Sequence, residues 1–301
     1  MKRRPYGGPA DLDLLAAFNA EAAAATGGCG YLHPGDIAHR LYNGNRRYRP
    51  ADVLVVWEDA GGVAGWALAA PAYAGFDVQI RPDLRGGAFE RSVLEEASDV
   101  TTALIRRDGL DATRLVTDAF RCDAARSGLL TELGWQAVGG EPWVLNRADL
   151  ADAGEPVLPR GYRIRTVRGP EEAGRVAALH AASFGSTWTE ELYRAVMASP
   201  GYDPGREFVV EASDGALAAF TVTWHDDVNG LGLFEPVGTH PDHRRRGLGK
   251  ALLWFAMRRM AAAGLTHALV VNEGDNEGSR SLYRSCGFEP WHLLDDYSIA
   301  L

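Results

Sequence analysis

The clearest chemical signal in the sequence is a basic, glycine-containing loop between an apolar strand and a helix. Residues 231–239 predict the strand, and the helix extends to about Ala263, where Gly264 stops it. Glycine lets backbone N–H groups approach an anion, and a helix N-terminus adds partial positive charge. The loop therefore predicts a phosphate site, the alternative being a turn with a solvated basic surface. It reads Arg244, Arg245, Arg246, Gly247, Leu248, Gly249 and Lys250.

A dinucleotide-binding fold also holds phosphate at such a loop. The fingerprint of that fold needs a third glycine and an acidic residue about 20 positions further on. Gly247 and Gly249 are followed by neither. The dinucleotide interpretation is therefore strongly disfavoured.

A second motif follows at the spacing that a neighbouring strand and helix would give. Residues 269–272 predict a strand, and the next segment reads N-x-x-S-x-x-L-Y-x-x-C-G-F from Asn276 to Phe288. Together with the R-x-x-G-x-G loop, this resembles the GNAT superfamily of acetyl-CoA-dependent N-acyltransferases. The resemblance covers residues 158–301.

The resemblance implies acetyl-CoA as cosubstrate. It implies that the strand preceding the loop splays from its neighbour and holds the pantetheine arm, with a backbone N–H polarising the thioester carbonyl. The residues that it assigns to the arm are Val237, Gly238 and Thr239, and those that it assigns to the rest of the cofactor are the loop residues 244–250 with Asn276 and Ser279. No metal is expected.

Two side chains are candidates for the proton transfers. Tyr283 stands where the family carries the tyrosine that protonates the departing thiolate, although a tyrosine in a last helix is often a core residue. Glu235 is the one acid on the splayed strand and is the candidate base for the amine, with His225 and Asp227 as alternatives. The family often has its glutamate two positions earlier, where this chain has Leu233.

The first half of the chain repeats the pattern of the second. Residues 123–135 align with residues 276–288 at an offset of 153. A polar segment with helix breakers, residues 148–160, separates the copies. We predict a layered α/β (α+β) fold with two tandem GNAT-like domains, residues 1–155 and 156–301, each a mixed twisted sheet with a splayed central strand pair flanked by helices.

The first copy departs from the family pattern where chemistry is needed. Its loop begins at Arg85 and carries Glu90 in place of the second glycine, which aims a carboxylate where phosphate would sit. Leu130 stands in place of the tyrosine. We therefore predict that the first domain is not catalytic.

Composition narrows the class of partner. The net charge of −9 disfavours nucleic acid and anionic membranes as partners.

Three widely spaced cysteines predict neither a disulfide framework nor a zinc site. The N-terminal segment lacks the apolar core of a signal peptide, so we expect a cytoplasmic protein. Its oligomeric state, monomer or homodimer, stays open.

The function that these features predict is transfer of an acetyl group from acetyl-CoA to the primary amine of a small molecule, in the C-terminal domain. Two alternatives stay open. One is a non-enzymatic acyl-CoA-binding or regulatory protein, and the other is an acetyltransferase acting on protein N-termini or lysines.

Overall fold

The computed structural model describes all residues, 1–301. The helices are α1 (Pro9–Thr26), α2 (Asp36–His39), α3 (Pro50–Val53), α4 (Ala88–Asp108), α5 (Ala124–Glu132), α6 (Ala173–Phe184), α7 (Glu190–Met197), α8 (Leu248–Ala262) and α9 (Glu277–Ser285). The strands are β1 (Lys2–Pro5), β2 (Leu54–Asp59), β3 (Gly62–Ala70), β4 (Gly75–Ile80), β5 (Arg114–Phe120), β6 (Gln136–Ala137), β7 (Trp143–Asp149), β8 (Tyr162–Thr166), β9 (Glu207–Ala212), β10 (Leu217–Asp226), β11 (Leu231–Thr239), β12 (His267–Glu273) and β13 (Glu289–Ala300). No helix is long and apolar enough to cross a membrane.

The chain forms two compact units whose limits differ from the predicted domains 1–155 and 156–301. The first unit comprises Met1–Trp143 and His292–Leu301, and the second comprises Val144–Trp291. The predicted boundary segment is not a free linker, because Leu150 N donates to Thr266 O at 2.9 Å and Gly154 lies against the Trp254 ring. Polar composition and breakers gave no indication of these contacts.

The first unit is built on a sheet with the order β1-β2-β3-β4-β5-β13, with β6 paired to β13. Adjacent strands are antiparallel except β4 and β5, which are parallel and paired only at Gly75 and Val116. The amphipathic helix α4 buries Val93, Leu94 and Ala97 against this sheet.

The second unit has the sheet order β7-β12-β11-β10-β9-β8. Strands β8 to β11 form an antiparallel meander, and β11 and β12 are parallel. Helix α8 buries Leu252, Ala256 and Met260 in the core of one sheet face, and α6 buries Val176 in a separate cluster. The mixed strand order of each unit, with its flanking helices, confirms the predicted fold class.

One prediction about covalent structure is wrong. Cys29 and Cys122 form a disulfide, although three distant cysteines predicted none. The fold brings the loop after α1 and the turn before α5 together across 93 residues of sequence, and no local spacing rule could show this. Cys286 is a buried free thiol.

Candidate active site

The two parallel strands of the second unit separate halfway along their length. Strand β11 pairs with β12 only from Leu231 to Phe234, so residues 235–239 have no strand partner on that side. We call the opening between the ends of β11 and β12 the splay gap. His240 N donates to Ala218 O at 2.9 Å, and backbone direction alternates along a strand. The N–H groups of Val237 and Thr239 therefore point away from β10, into the splay gap.

A bulge causes this separation. Thr221 of β10 lies opposite Val237, but Thr223 lies opposite Phe234, so β11 has one extra residue between them. Side chains of β10 fix the bulged backbone: Trp224 Nε1 donates to Glu235 O at 3.1 Å, and Thr221 Oγ1 donates to Pro236 O at 2.9 Å. Sequence reasoning did not identify Thr221 and Trp224 as determinants of the splay.

The loop after β11 ends in an uncapped helix N-terminus. Gly247 has a φ of 79°, which favours glycine, and no side chain caps α8. The first helical bond runs from Ala251 N to Gly247 O, so the N–H groups of residues 248–250 have no acceptor within the helix. A Cβ atom on Gly249 would lie 3.3 Å from Leu282 and 3.7 Å from Thr239 Oγ1. The first helical turn therefore lies beside the end of the splayed strand and can hold an anion there.

The basic side chains of this loop have different surroundings. Arg244 donates to Thr239 O at 3.2 Å and to Ser183 O at 2.9 Å, which ties the loop to the end of α6. Arg246 donates to Tyr162 Oη and Asp242 O, and Lys250 Nζ lies 4.3 Å from the centre of the Trp254 ring. Arg245 is exposed. Two of the three arginines thus shape the loop through protein oxygens as well as adding positive charge.

Gly238 and Ser183 meet on one face of the splayed strand. A Cβ atom at Gly238 would lie 2.4 Å from the Phe220 ring and 3.1 Å from Ser183 Cβ, so this glycine is needed for packing. Ser183 Oγ is buried without a hydrogen-bond partner. An unsatisfied buried hydroxyl requires an explanation, and a polar ligand beside Gly238 would supply one. Nothing in the sequence pattern around Ser183 pointed to it.

Helix α9 positions Tyr283 at the same site. Asn276 Oδ1 accepts the Ser279 N–H at 3.0 Å and thereby caps the helix. Burial, and to a smaller extent the negative charge of Glu235, raise the pKa of Tyr283 to about 12, while a side-chain hydrogen bond with Ser279 acts in the opposite direction. The structure therefore brings Tyr283, Glu235 and Ser279 together.

The alternative bases lie elsewhere. His225 and Asp227 are at the end of β10 and in the turn that leads to Leu231, the first residue of β11. Leu231 is four strand residues before Glu235, or roughly 13 Å at about 3.3 Å per residue. His240 accepts the Asp242 N–H through Nδ1 at 3.2 Å and so has a structural role in the turn after β11. Burial raises the pKa of the Cys286 thiol to about 11, as suits a core residue.

The corresponding loop of the first unit is filled by its own side chains. Glu90 accepts the Gly86 N–H at 2.5 Å and pairs with Arg126, which also donates to Val78 O on β4 at 3.1 Å. Leu130 is fully buried. A carboxylate and its guanidinium partner are thus already present in the loop where a phosphate would bind. No group of three or more metal-ligating side chains is present in either unit.

The sequence is similar to those of known acetyltransferases. Residues 174–288 match the acetyltransferase (GNAT) family. The mycothiol acetyltransferase of Segniliparus rotundus is 28% identical over 284 residues, covering 84% of this chain and 94% of that protein. That of Thermobispora bispora is 25% identical over 297 residues, covering 94% of each. Among solved structures, a tandem GNAT protein from the clavulanic acid biosynthesis pathway superimposes with a TM-score of 0.67 at 19% identity, over 99% of this chain and 98% of that one.

Proposed function

This chain belongs to the GNAT family of acetyltransferases, and we propose that its second unit transfers an acetyl group from acetyl-CoA to the primary amine of a small molecule by direct attack. One observation carries the proposal. The uncapped first turn of α8 lies beside Thr239 at the end of the splayed strand, and Tyr283 interacts electrostatically with Glu235 of the same strand.

The residues of the splay gap fit the cosubstrate. The N–H groups of Val237 and Thr239 are placed to bond the amides of a pantetheine arm, and the orphaned Ser183 hydroxyl offers a further partner. The first turn of α8 suits a pyrophosphate, because its N–H groups and dipole both favour negative charge. Arg245 and Lys250 add charge at that end. Asn276 contributes indirectly, since its side-chain oxygen is used in capping α9.

The reaction needs a base for the amine and stabilisation of the leaving sulfur. We assign the first role to Glu235, directly or through a water molecule. We assign the second to Tyr283, whose phenol is protonated at neutral pH and whose pKa burial raises further above its ordinary value. A preorganised N–H group of β11 would stabilise the oxyanion of the tetrahedral intermediate.

The two relatives that match along most of the chain suggest the class of acceptor. Both are named mycothiol acetyltransferases, and we infer that this chain acetylates a small-molecule amine of the mycothiol series. The net charge of −9 favours a cationic acceptor over an anionic one.

The first unit has a different role from the second. Glu90 and Arg126 fill its loop, and it has no counterpart of Tyr283. We infer that it takes no part in acetyl transfer.

A product-based assay tests the function. The protein would be incubated with acetyl-CoA and, separately, with the amine acetylated by mycothiol acetyltransferases, a simple amino sugar, a polyamine and a peptide with a free N-terminus. The acetylated product would be measured by mass spectrometry, which a thiol group on an acceptor does not disturb. We expect the highest kcat/KM with the mycothiol-series amine.

Two outcomes would contradict the proposal. Preference for the peptide would make the chain a protein acetyltransferase. Tight acetyl-CoA binding with no product from any acceptor would instead favour a non-enzymatic acyl-CoA-binding protein.

A further inference from the structure

The disulfide of the first unit lies in the region that corresponds to the splay gap of the second unit. Cys29 follows α1, and Cys122 lies between β5 and α5. Arg85 donates to Cys29 O at 2.9 Å, just as the matching Arg244 donates to Ser183 O at 2.9 Å. The carbonyl groups of Cys29 and Ser183 thus bind matching arginines near the ends of α1 and α6, and Ser183 borders the splay gap of the second unit.

The other cysteine marks the opposite side of the same opening. Asp123 accepts the Arg126 N–H at 3.1 Å and caps α5, as Asn276 caps α9. Cys122, one residue earlier, therefore corresponds to Asp275. In the first unit the two sides of the opening are joined twice, by the disulfide and by an ion pair between Arg85 and Asp123.

The bridge leaves no space between the two sides. The Cα atoms of Cys29 and Cys122 are 6.1 Å apart, and their side chains fill that interval. A ligand chain between two walls needs roughly 3.5 Å to the nearest atoms on each side. While the disulfide is intact, the opening of the first unit is closed.

The surroundings of Cys122 suit thiol chemistry. Cys122 is exposed, and Cys29 is partly exposed. His292 Nε2 lies 3.0 Å from Gly27 O, and because a carbonyl only accepts, this nitrogen carries the proton. His292 Nδ1, 3.6 Å from Cys122 Sγ, is therefore the basic nitrogen and faces the sulfur. A thiol at Cys122 would donate its hydrogen to this nitrogen.

We propose that Cys29 and Cys122 form a reversible, thiol-sensitive clasp that closes the first unit and that a low-molecular-weight thiol opens. The thiolate attacks Cys29 Sγ, the disulfide bond breaks, and its electron pair leaves on Cys122 Sγ, which then takes up a proton. A second small thiolate then attacks the sulfur of the first in this mixed disulfide and expels the Cys29 thiolate, which takes up a proton. Two small thiols are thereby oxidised to one disulfide, and the protein disulfide is reduced to two thiols.

Closure runs in the opposite sense, and there His292 has a defined part. An oxidised small disulfide forms a mixed disulfide at Cys29 and releases one thiolate. His292 Nδ1 then accepts the proton of the Cys122 thiol, and the resulting thiolate attacks Cys29 Sγ and expels the second small thiolate. His292 acts on Cys122 alone and has no part in acetyl transfer.

A redox titration of the full-length chain tests the clasp. The folded protein would be equilibrated with mixtures of reduced and oxidised glutathione, quenched with acid, alkylated and analysed by peptide mass spectrometry. We expect the alkylated fraction of Cys29 and Cys122 to change together and reversibly, while buried Cys286 reacts only after unfolding. The proposal is overturned if the bridge forms at no ratio, or if it opens only when the chain unfolds.

A variant tests the part of His292. In His292→Gln the amide can still donate to Gly27 O, but it cannot take the thiol proton. We expect closure from the reduced state to slow by at least about 10-fold at neutral pH, a modest loss for a general base. The matched control is His267→Gln in the second unit, expected to close at the wild-type rate. Equal rates for both variants would remove His292 from the proposal.

Hydrogen exchange of the wild-type chain tests the opening itself. Reduction should speed amide exchange in residues 27–35 and 121–126, the two sides of the clasp, and leave β9 and β10 unchanged. Unaltered exchange at residues 27–35 and 121–126 would show that reduction opens nothing.

Discussion

The Tyr283 phenol on α9 is buried beside the Glu235 carboxylate on β11, and burial together with that charge raises its pKa to about 12. A phenol of this pKa does not give its proton completely to a free thiolate, since an ordinary thiol has a pKa of only about 8.5. Tyr283 is better suited to donate a hydrogen bond to the sulfur while negative charge develops there. We expect this hydrogen bond to strengthen as the tetrahedral intermediate collapses.

Replacing Tyr283 tests this role. Tyr283→Phe removes the hydroxyl and keeps the ring that lies 5.9 Å from Phe288. We expect kcat to fall by about 100-fold, the lower end of the usual range for loss of a proton donor, and acetyl-CoA affinity to stay nearly unchanged. Steady-state kinetics and calorimetry measure the two quantities. An unchanged kcat would mean that the thiolate departs without assistance.

The pH dependence of Glu235→Gln tests the base. An amine is protonated at neutral pH and attacks only after losing that proton, so the variant should be at least about 100-fold slower at pH 7. It should recover partly at high pH, where free amine is abundant. The control is Asp227→Asn, in the turn at the far end of β11, which should keep the wild-type pH–rate profile. If instead Asp227→Asn alters the profile and Glu235→Gln does not, the base has been assigned to the wrong acid.

Gly249→Glu tests the anion site. The Cβ atom of the new glutamate would lie beside Leu282 and Thr239. Its carboxylate would bring a negative charge to the first turn of α8, as Glu90 does to the loop of the first unit. We expect acetyl-CoA binding to weaken by at least about 100-fold, since like charges in contact cost several kcal/mol. Gly128→Glu, in open space on α5, is the matched control and should bind normally. Normal binding by Gly249→Glu would place the phosphates elsewhere.

Calorimetry of the wild-type chain gives the number of sites. Glu90 already accepts the Gly86 N–H and pairs with Arg126, so the first unit offers no free anion site. We expect one acetyl-CoA per chain, and none in Gly249→Glu. A stoichiometry of two in the wild type would show that a ligand displaces Glu90.

Local patterns in the sequence predicted much of this architecture, and long-range contacts account for what they missed. Strand β11 matches the predicted residues 231–239, because an apolar run that ends at a turn is typical of a strand. The disulfide between Cys29 and Cys122 depends on the two cysteines meeting in the fold, which no spacing rule describes. Ser183 was missed for the same reason: it becomes notable only once Gly238 and Arg244 lie against it.

The last prediction concerns stability and a buried acid of the second unit. Glu207 is fully buried at the start of β9 and accepts hydrogen bonds from Tyr193 Oη at 2.6 Å and Tyr202 Oη at 2.5 Å. Burial is the main reason why its pKa is raised to about 7. The two hydrogen bonds lower the pKa, and the charge of Glu172 raises it by a smaller amount. Because the folded pKa lies above the unfolded value of about 4.3, the stabilisation from the protonated form is complete below that value and is lost as the pH rises through 7.

The comparison of the wild type with Glu207→Gln measures this loss. The variant stays neutral at every pH and still offers an acceptor and a donor to the two tyrosines. As the pH rises from 4.5 to 8, the wild type should lose up to about 3 kcal/mol relative to the variant, at about 1.4 kcal/mol per pKa unit. Thermal unfolding midpoints at several pH values would show the two curves diverging. The control is Glu190→Gln, which changes an exposed acid at the start of α7 and should follow the wild type. If the unfolding midpoint of Glu207→Gln changes with pH in parallel with those of the wild type and the control, Glu207 is ionised at neutral pH.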